Sequence, residues 1–105
     1  MQDIRKKFEA RLASGHDSAM LRLTLGKGCL DDGELIVAIS HLRRALELDP
    51  DYSAAWVLLG KVQSQSGDTE GACDTYRKGI EVAERRGELQ SAKQMSVFLK
   101  RLQRS

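Results

Sequence analysis

Apolar residues recur every three to four positions along almost the whole chain, a spacing typical of amphipathic helices rather than strands. The first such stripe comprises Ile4, Phe8, Arg11 and Leu12. The last comprises Leu89, Ala92, Met95, Ser96, Leu99 and Leu102. Gly33, Pro50 and Gly67 interrupt the pattern, and each is a residue type that ends helices. The pattern predicts an all-α chain with helices at about residues 2–14, 17–31, 34–48, 52–65, 69–86 and 88–103.

Residues 19–52 and 53–86 are two consecutive copies of one 34-residue unit. Leu25-Gly26 recurs as Leu59-Gly60, Lys27 as Lys61, Gly33 as Gly67, and Ala38 as Ala72. A repeat of this length with helical spacing inside it predicts an α-solenoid of stacked antiparallel helix pairs. Such a fold presents an extended surface to a partner rather than a catalytic pocket.

The second copy contains Trp56-Val57-Leu58-Leu59-Gly60, then Gly67-Asp68, then Ala72 and Tyr76. This pattern resembles the tetratricopeptide repeat, in which Trp-x-x-Leu-Gly-x-x-Tyr is followed by Ala-x-x-x-Phe. The first copy departs from the family pattern at Arg22 and Cys29, and the second departs at Gln63, Gly79 and Glu84. The whole chain resembles a small, stand-alone bacterial protein of this family.

The small residues of the repeat predict places where helices approach closely. Gly26 and Gly60 leave room for the larger side chains of Leu42 and Tyr76 on the second helix of each pair. We expect Trp56, which opens the repeat signature, to be largely buried between helix pairs. The turn glycines are expected to adopt the left-handed conformation that ends helices.

A chain of 105 residues with 41% hydrophobic content is predicted to form a single domain. We divide it into an N-terminal packing helix (1–18), repeat 1 (19–52), repeat 2 (53–86) and a C-terminal capping helix (87–105). The outer side of the capping helix is rich in lysine and arginine, as expected for a helix that ends a solenoid and faces water.

The net charge of +2 is unevenly distributed. Residues 85–105 carry six basic groups and one acidic group, whereas residues 16–84 carry seven basic and twelve acidic groups. A basic final helix can contact nucleic acid or another anionic surface, but we favour a solvated capping face whose charge maintains solubility. Among its basic residues only one aromatic residue, Phe98, is interleaved, which argues against single-strand binding.

The sequence contains no recognisable catalytic constellation. Gly26-Lys27-Gly28 lacks the spacing of a phosphate-binding loop, and His16 and His41 have no partners at metal or nucleophile spacing. Cys29 and Cys73 fall inside helices without a Cys-x-x-Cys motif, so we expect buried thiols. We therefore predict a non-enzymatic cytoplasmic protein without cofactor or metal, with no long apolar run for a membrane span and no signal segment.

The resemblance places the binding groove on the concave face formed by the first helix of each pair. Carried onto this chain, the groove residues are Met20, Leu23, Thr24, Lys27, Leu30, Ala54, Val57, Leu58, Lys61 and Gln65, with Met95 and Phe98 from the capping helix. Leu23, Lys27 and Leu58 stand where family members that grip terminal carboxylates need Lys or Arg, Asn and Asn, which argues against such a clamp.

The remaining interpretation is a groove for a peptide or amphipathic helix of a partner protein that combines apolar residues with acidic flanks. Two alternatives stay open at this point. The same surface could pair with a second copy of the chain, or the capping helix could cover it.

Overall fold

The computed structural model describes the backbone of residues 2–104 and the side chains of residues 4–104. Over this part of the chain it contains six α-helices and no strand. They are α1 (Gln2–Ala13), α2 (Ala19–Asp31), α3 (Leu35–Leu48), α4 (Ser53–Gln65), α5 (Thr69–Arg85) and α6 (Leu89–Arg104). Each lies within two residues of its predicted bounds, which confirms the all-α prediction. None of these helices is long and apolar enough to cross a membrane.

Local chemistry sets the helix ends. The Ser18 hydroxyl accepts a hydrogen bond from the Leu21 amide at 3.1 Å, so α2 starts after Ser18 rather than at Asp17. The Asp68 carboxylate caps α5 in the same way, accepting from the Gly71 amide at 2.9 Å. Four glycines that follow helices have positive φ, as the left-handed cap requires: Gly15, Gly33, Gly67 and Gly87.

The helices stack as two pairs flanked by single helices. Short glycine-containing turns join α2 to α3 and α4 to α5, and the two helices of each pair pack tightly against each other. The first helices of the pairs, α2 and α4, are neighbours, and α6 packs against α5 and beside α4. α1 packs on α2 at the opposite end. This arrangement is the predicted α-solenoid, with α6 as its C-terminal cap.

The repeat glycines mark close helix contacts, as predicted. A methyl group on Gly26 would lie 2.8 Å from Cδ2 of Leu42, and one on Gly60 would lie 2.6 Å from Cζ of Tyr76. Gly79 stands where the family pattern has alanine. A methyl group there would lie 2.8 Å from Cβ of Trp56 and 2.5 Å from the Met95 sulfur, so this departure from the pattern makes room for two large neighbours.

The core consists of two apolar clusters that Trp56 joins. The first lies among α2, α3 and α4, and the second lies between α5 and α6; the Trp56 side chain packs against both. This side chain is partly buried, which fits the expected place between helix pairs, and the indole edge reaches the surface. There Nε1 donates a hydrogen bond to the Pro50 carbonyl at 2.8 Å, which satisfies the one polar atom of the ring.

Candidate binding surface

The predicted groove residues of α2 differ widely in exposure. Met20 is 71% exposed and Lys27 is also exposed, whereas Leu30 is half-buried against the first cluster. The Thr24 hydroxyl is occupied, because it donates to the Met20 carbonyl at 3.0 Å. Leu23 is only 7% exposed and belongs to the first cluster. Leu23 therefore lies beneath the surface, where a partner has almost no access to it, and it is not the groove-lining residue that we predicted.

On α4 the predicted residues are more accessible. Ala54, Lys61 and Gln65 are exposed, while Val57 and Leu58 are half-buried. Leu58 packs against the first cluster and Val57 against the second, so each uses one side in the core and presents the other to solvent. This gives α4 a short apolar strip that ends at Lys61.

The capping helix does not continue the groove in the way we predicted. Met95 is fully buried in the second cluster, and Phe98 is half-buried. α4 begins at Ser53 and α6 begins at Leu89, 36 residues later rather than 34. The two extra residues shift the register, so that Met95 takes the buried position of Leu59. Val97, which is 42% exposed, takes the position of Lys61.

Three of the predicted residues nevertheless meet at one cleft. Lys61, Gln65 and Phe98 line a depression of about 180 Å³ between the end of α4 and α6. The rest of its lining is Ser64, Tyr76, Arg101 and Leu102. The rings of Tyr76 and Phe98 contact each other with centroids 5.8 Å apart. Burial raises the pKa of the Tyr76 hydroxyl to about 12, so the floor of the cleft is aromatic and uncharged, with cationic groups at its rim.

A second cleft lies between α1 and α2, and sequence reasoning missed it. Its volume is about 350 Å³, and its lining is Phe8, Arg11, His16, Asp17, Ser18, Met20, Leu21 and Thr24. It extends the surface around Met20 toward α1. The apolar stripe of α1 indicated that this helix packs against a neighbour. The stripe by itself could not show that the neighbour covers Phe8 only in part.

Arg22, which replaces the family's tryptophan in the first repeat, organises a polar network beside this cleft. Its Nε donates to Asp17 at 2.9 Å, and Arg44 donates to the same carboxylate at 3.1 Å. Arg22, and after it Arg44, lowers the pKa of Asp17 to about 2. Arg22 also donates to Nδ1 of His41 at 3.1 Å. The network fixes the loop before α2 to both helices of the first pair.

An exposed apolar group at the start of α3 was also missed. Ile36 is 82% exposed and Val37 is 40% exposed. They border an open cleft of about 600 Å³ together with Gly33, Glu34, Leu35, Gln65 and Ser66. The signal was present in the sequence: three consecutive apolar residues on a helix point in three directions, so they cannot all face one core.

Both cysteines are buried, as expected: Cys29 is 0% exposed and Cys73 is 8% exposed. Burial raises the pKa of the Cys29 thiol, which keeps it in the neutral form. Within residues 4–104 no three His, Cys, Asp or Glu side chains come together in a way that could hold a metal ion.

Comparison with known proteins gives a consistent result. A family profile described as tetratricopeptide repeat matches residues 30–95, more than half of the chain. A TPR repeat-containing protein of Pseudomonas aeruginosa is 46% identical over 98 residues, which cover 93% of both proteins. Members of the family are generally protein–protein interaction modules and non-enzymatic scaffolds.

Solved structures agree. The solution structure of a protein from Bordetella parapertussis is 44% identical with a TM-score of 0.86, covering 99% of this chain and 90% of that one. The crystal structure of a tetratricopeptide repeat domain protein from Salinibacter ruber is 26% identical with a TM-score of 0.77, covering 83% of this chain and 97% of that one. The chain therefore belongs to the tetratricopeptide repeat family.

Proposed function

We propose that this chain is a non-enzymatic, cytoplasmic binding module that holds a peptide or helical segment of a partner protein on its concave face. The observation that carries the proposal is the cleft between α4 and α6. It combines an aromatic floor with Lys61 and Arg101 at the rim. A cavity of about 150 Å³ accommodates one benzene ring, so a cleft of about 180 Å³ suits one large apolar side chain.

The charges around this surface suggest the composition of the bound segment. Lys27 and Lys61 occupy equivalent positions on the neighbouring helices α2 and α4, and both are exposed. Two ammonium groups beside the apolar strip of Val57 and Leu58 favour a segment that combines acidic residues with an apolar anchor. Charges at the edge of an interface speed encounter more than they tighten the final complex.

A comparison of three baits tests the proposal. Tagged wild-type protein, a Lys27→Glu/Lys61→Glu variant and an Arg43→Glu variant are used to capture proteins from lysate of the source cell. Arg43 is exposed on α3, on the other helix of the first pair, and controls for loss of positive charge alone. We expect a protein that is retained by wild type and by Arg43→Glu but lost by the double variant.

Purified complexes give the quantitative test. The double variant should reduce the association rate by about tenfold or more and make it less sensitive to salt, because steering by the two lysines is lost. If the double variant and Arg43→Glu change the association rate equally, the concave face is not the binding site.

A further inference from the structure

The start of α3 carries an apolar surface that the fold does not require. We name it the α3 edge and define it by Glu34, Ile36 and Val37 with the adjoining Gln65 and Ser66. Leu35 turns toward the first cluster, but Ile36 remains 82% exposed. Ile36 and Val37 adjoin each other, and contiguous exposed apolar patches rimmed by polar residues mark interaction surfaces.

The second repeat is an internal control for this surface. The residues 34 positions after Ile36 and Val37 are Glu70 and Gly71, at the start of α5. The corresponding helix start in repeat 2 therefore carries neither apolar side chain, and the Asp68 carboxylate caps it instead. Ile36 and Val37 are not needed for helix pairing, and a role in contact with another molecule accounts for them.

The capping helix carries a second surface of this kind. Leu89 is 71% exposed and Val97 is 42% exposed, and Lys93 lies between them at helical spacing. Lys93 and Val97 line a shallow depression of about 360 Å³ with Gln90, Ser91 and Gln94. We name this surface the α6 face. Neither Leu89 nor Val97 belongs to either core cluster.

Charge decides which surfaces can pair. The α3 edge includes Glu34, and Asp31 and Asp32 lie just before it at the end of α2. Arg5 pairs with both Asp32 and Glu34, so these groups together keep a net negative charge. The α6 face includes Lys93 and belongs to a segment, residues 85–105, with six basic groups and one acidic group. Two copies joined through the same surface would bring like charges together. A contact between the α3 edge and the α6 face brings opposite charges together.

We propose that the α6 face of one copy docks on the α3 edge of a second copy, with Val97 against Ile36 and Lys93 beside the carboxylates. The contact is head-to-tail, so each copy in a pair keeps one surface unoccupied, and assembly continues beyond the dimer. The apolar area is small, and the association is accordingly weak and dependent on concentration and salt.

Sedimentation velocity over a concentration series tests the proposal on the purified chain. Wild type should show species larger than a dimer at high concentration and low salt. Ile36→Glu introduces the residue type that repeat 2 carries at this position, and it should weaken association by about tenfold or more because it places a carboxylate in the apolar contact. Ile4→Glu is the matched control, since Ile4 is 55% exposed on α1, outside both surfaces.

Mixing identifies the partner surfaces. Ile36→Glu and Val97→Glu should each be monomeric alone, because each lacks one surface. Mixed together they should form a dimer that stops at two copies, because one intact α3 edge can meet one intact α6 face. The proposal is overturned if wild type stays monomeric throughout, if Ile4→Glu weakens association as much as Ile36→Glu, or if the mixture forms no dimer. Circular dichroism of each variant establishes that it is folded.

Discussion

At the residue scale, replacement by alanine is expected to have opposite effects on stability at Gly60 and Gly28. Gly60 lies against the ring of Tyr76, whereas a methyl group on Gly28 would meet only aliphatic carbons of Arg5, at 3.7–3.8 Å. Glycine inside a helix is less favourable than alanine by about 1 kcal/mol. The sign of each substitution therefore depends on whether the neighbouring atoms leave room for a methyl group.

We expect Gly60→Ala to lower the free energy of unfolding by about 1–3 kcal/mol, because overpacking against Tyr76 outweighs the gain in helix propensity. Gly28→Ala should raise it by up to about 1 kcal/mol. Urea denaturation followed by circular dichroism measures both. A stabilised Gly60→Ala variant would mean that the contact between α4 and α5 is looser than described.

His41 is expected to make stability depend on pH. Burial, and after it the charge of Arg22, lowers the His41 pKa below its ordinary value of 6.5. The unfolded chain therefore takes up this proton at higher pH than the folded chain does. Stability falls as pH drops from about 7 toward the folded pKa, because protonation favours the unfolded state.

The measurement is the melting temperature at a series of pH values between about 7 and 5. We expect His41→Gln to flatten the curve in this window, because the group whose pKa differs between the folded and unfolded chain is then absent. Equal slopes for wild type and His41→Gln would contradict the assignment of this pH dependence to His41.

At the element scale, α1 is the helix least supported by apolar packing. Ile4 is 55% exposed and Phe8 is only half-buried. A set of ion pairs compensates: Arg5 Nη1 donates to Asp32 at 2.7 Å and also to Glu34, both in the turn between α2 and α3. Partly buried ion pairs thus supplement the small apolar interface that holds α1.

We expect Asp32→Asn combined with Glu34→Gln to increase amide hydrogen exchange in α1 while α4 and α5 keep their protection. The reason is that local opening of a weakly packed element is separate from global unfolding. Glu47→Gln, which removes one of the two carboxylate partners of Arg44, is the control and should leave α1 unchanged. Unaltered protection of α1 in the double variant would show that apolar contacts suffice.

At the scale of the whole molecule, Trp56 connects the two core clusters. In repeat proteins, stability is the sum of the stability of each unit and of the interfaces between neighbours. We expect Trp56→Ala to lower the free energy of unfolding by about 3 kcal/mol and to make unfolding less cooperative. Trp56→Phe keeps most of the apolar contact but loses the hydrogen bond to Pro50. We expect its free energy of unfolding to fall by about 1 kcal/mol.

Denaturation followed at two probes measures this coupling. Far-ultraviolet circular dichroism reports on all helices, and tyrosine fluorescence reports on Tyr52 in the first cluster and Tyr76 in the second. Trp56→Ala should separate transitions that coincide in Trp56→Phe. If the two transitions of Trp56→Ala coincide and its free energy of unfolding falls by less than about 1 kcal/mol, Trp56 does not couple the two clusters.

The sequence by itself determined the helices, the repeat and the close contacts within each helix pair. These features depend on residues near one another in the chain: the 3.6-residue period, the turn glycines Gly33 and Gly67, and the 34-residue recurrence of Gly26 as Gly60. Because the turn within a pair is short, the sequence positions of the small residues already indicate which helices must approach.

Tertiary structure alone decided how the last helix docks and which apolar residues stay exposed. α5 is three residues longer than α3 and the turn after it is one residue shorter, so α6 is moved by two residues relative to the repeat, which buries Met95 and brings Val97 to the surface. Leu23 and Ile36 are both apolar residues on helices, yet one is 7% and the other 82% exposed. The physical reason is that burial depends on which neighbouring helix covers a position, and that depends on the packing of residues far apart in the chain.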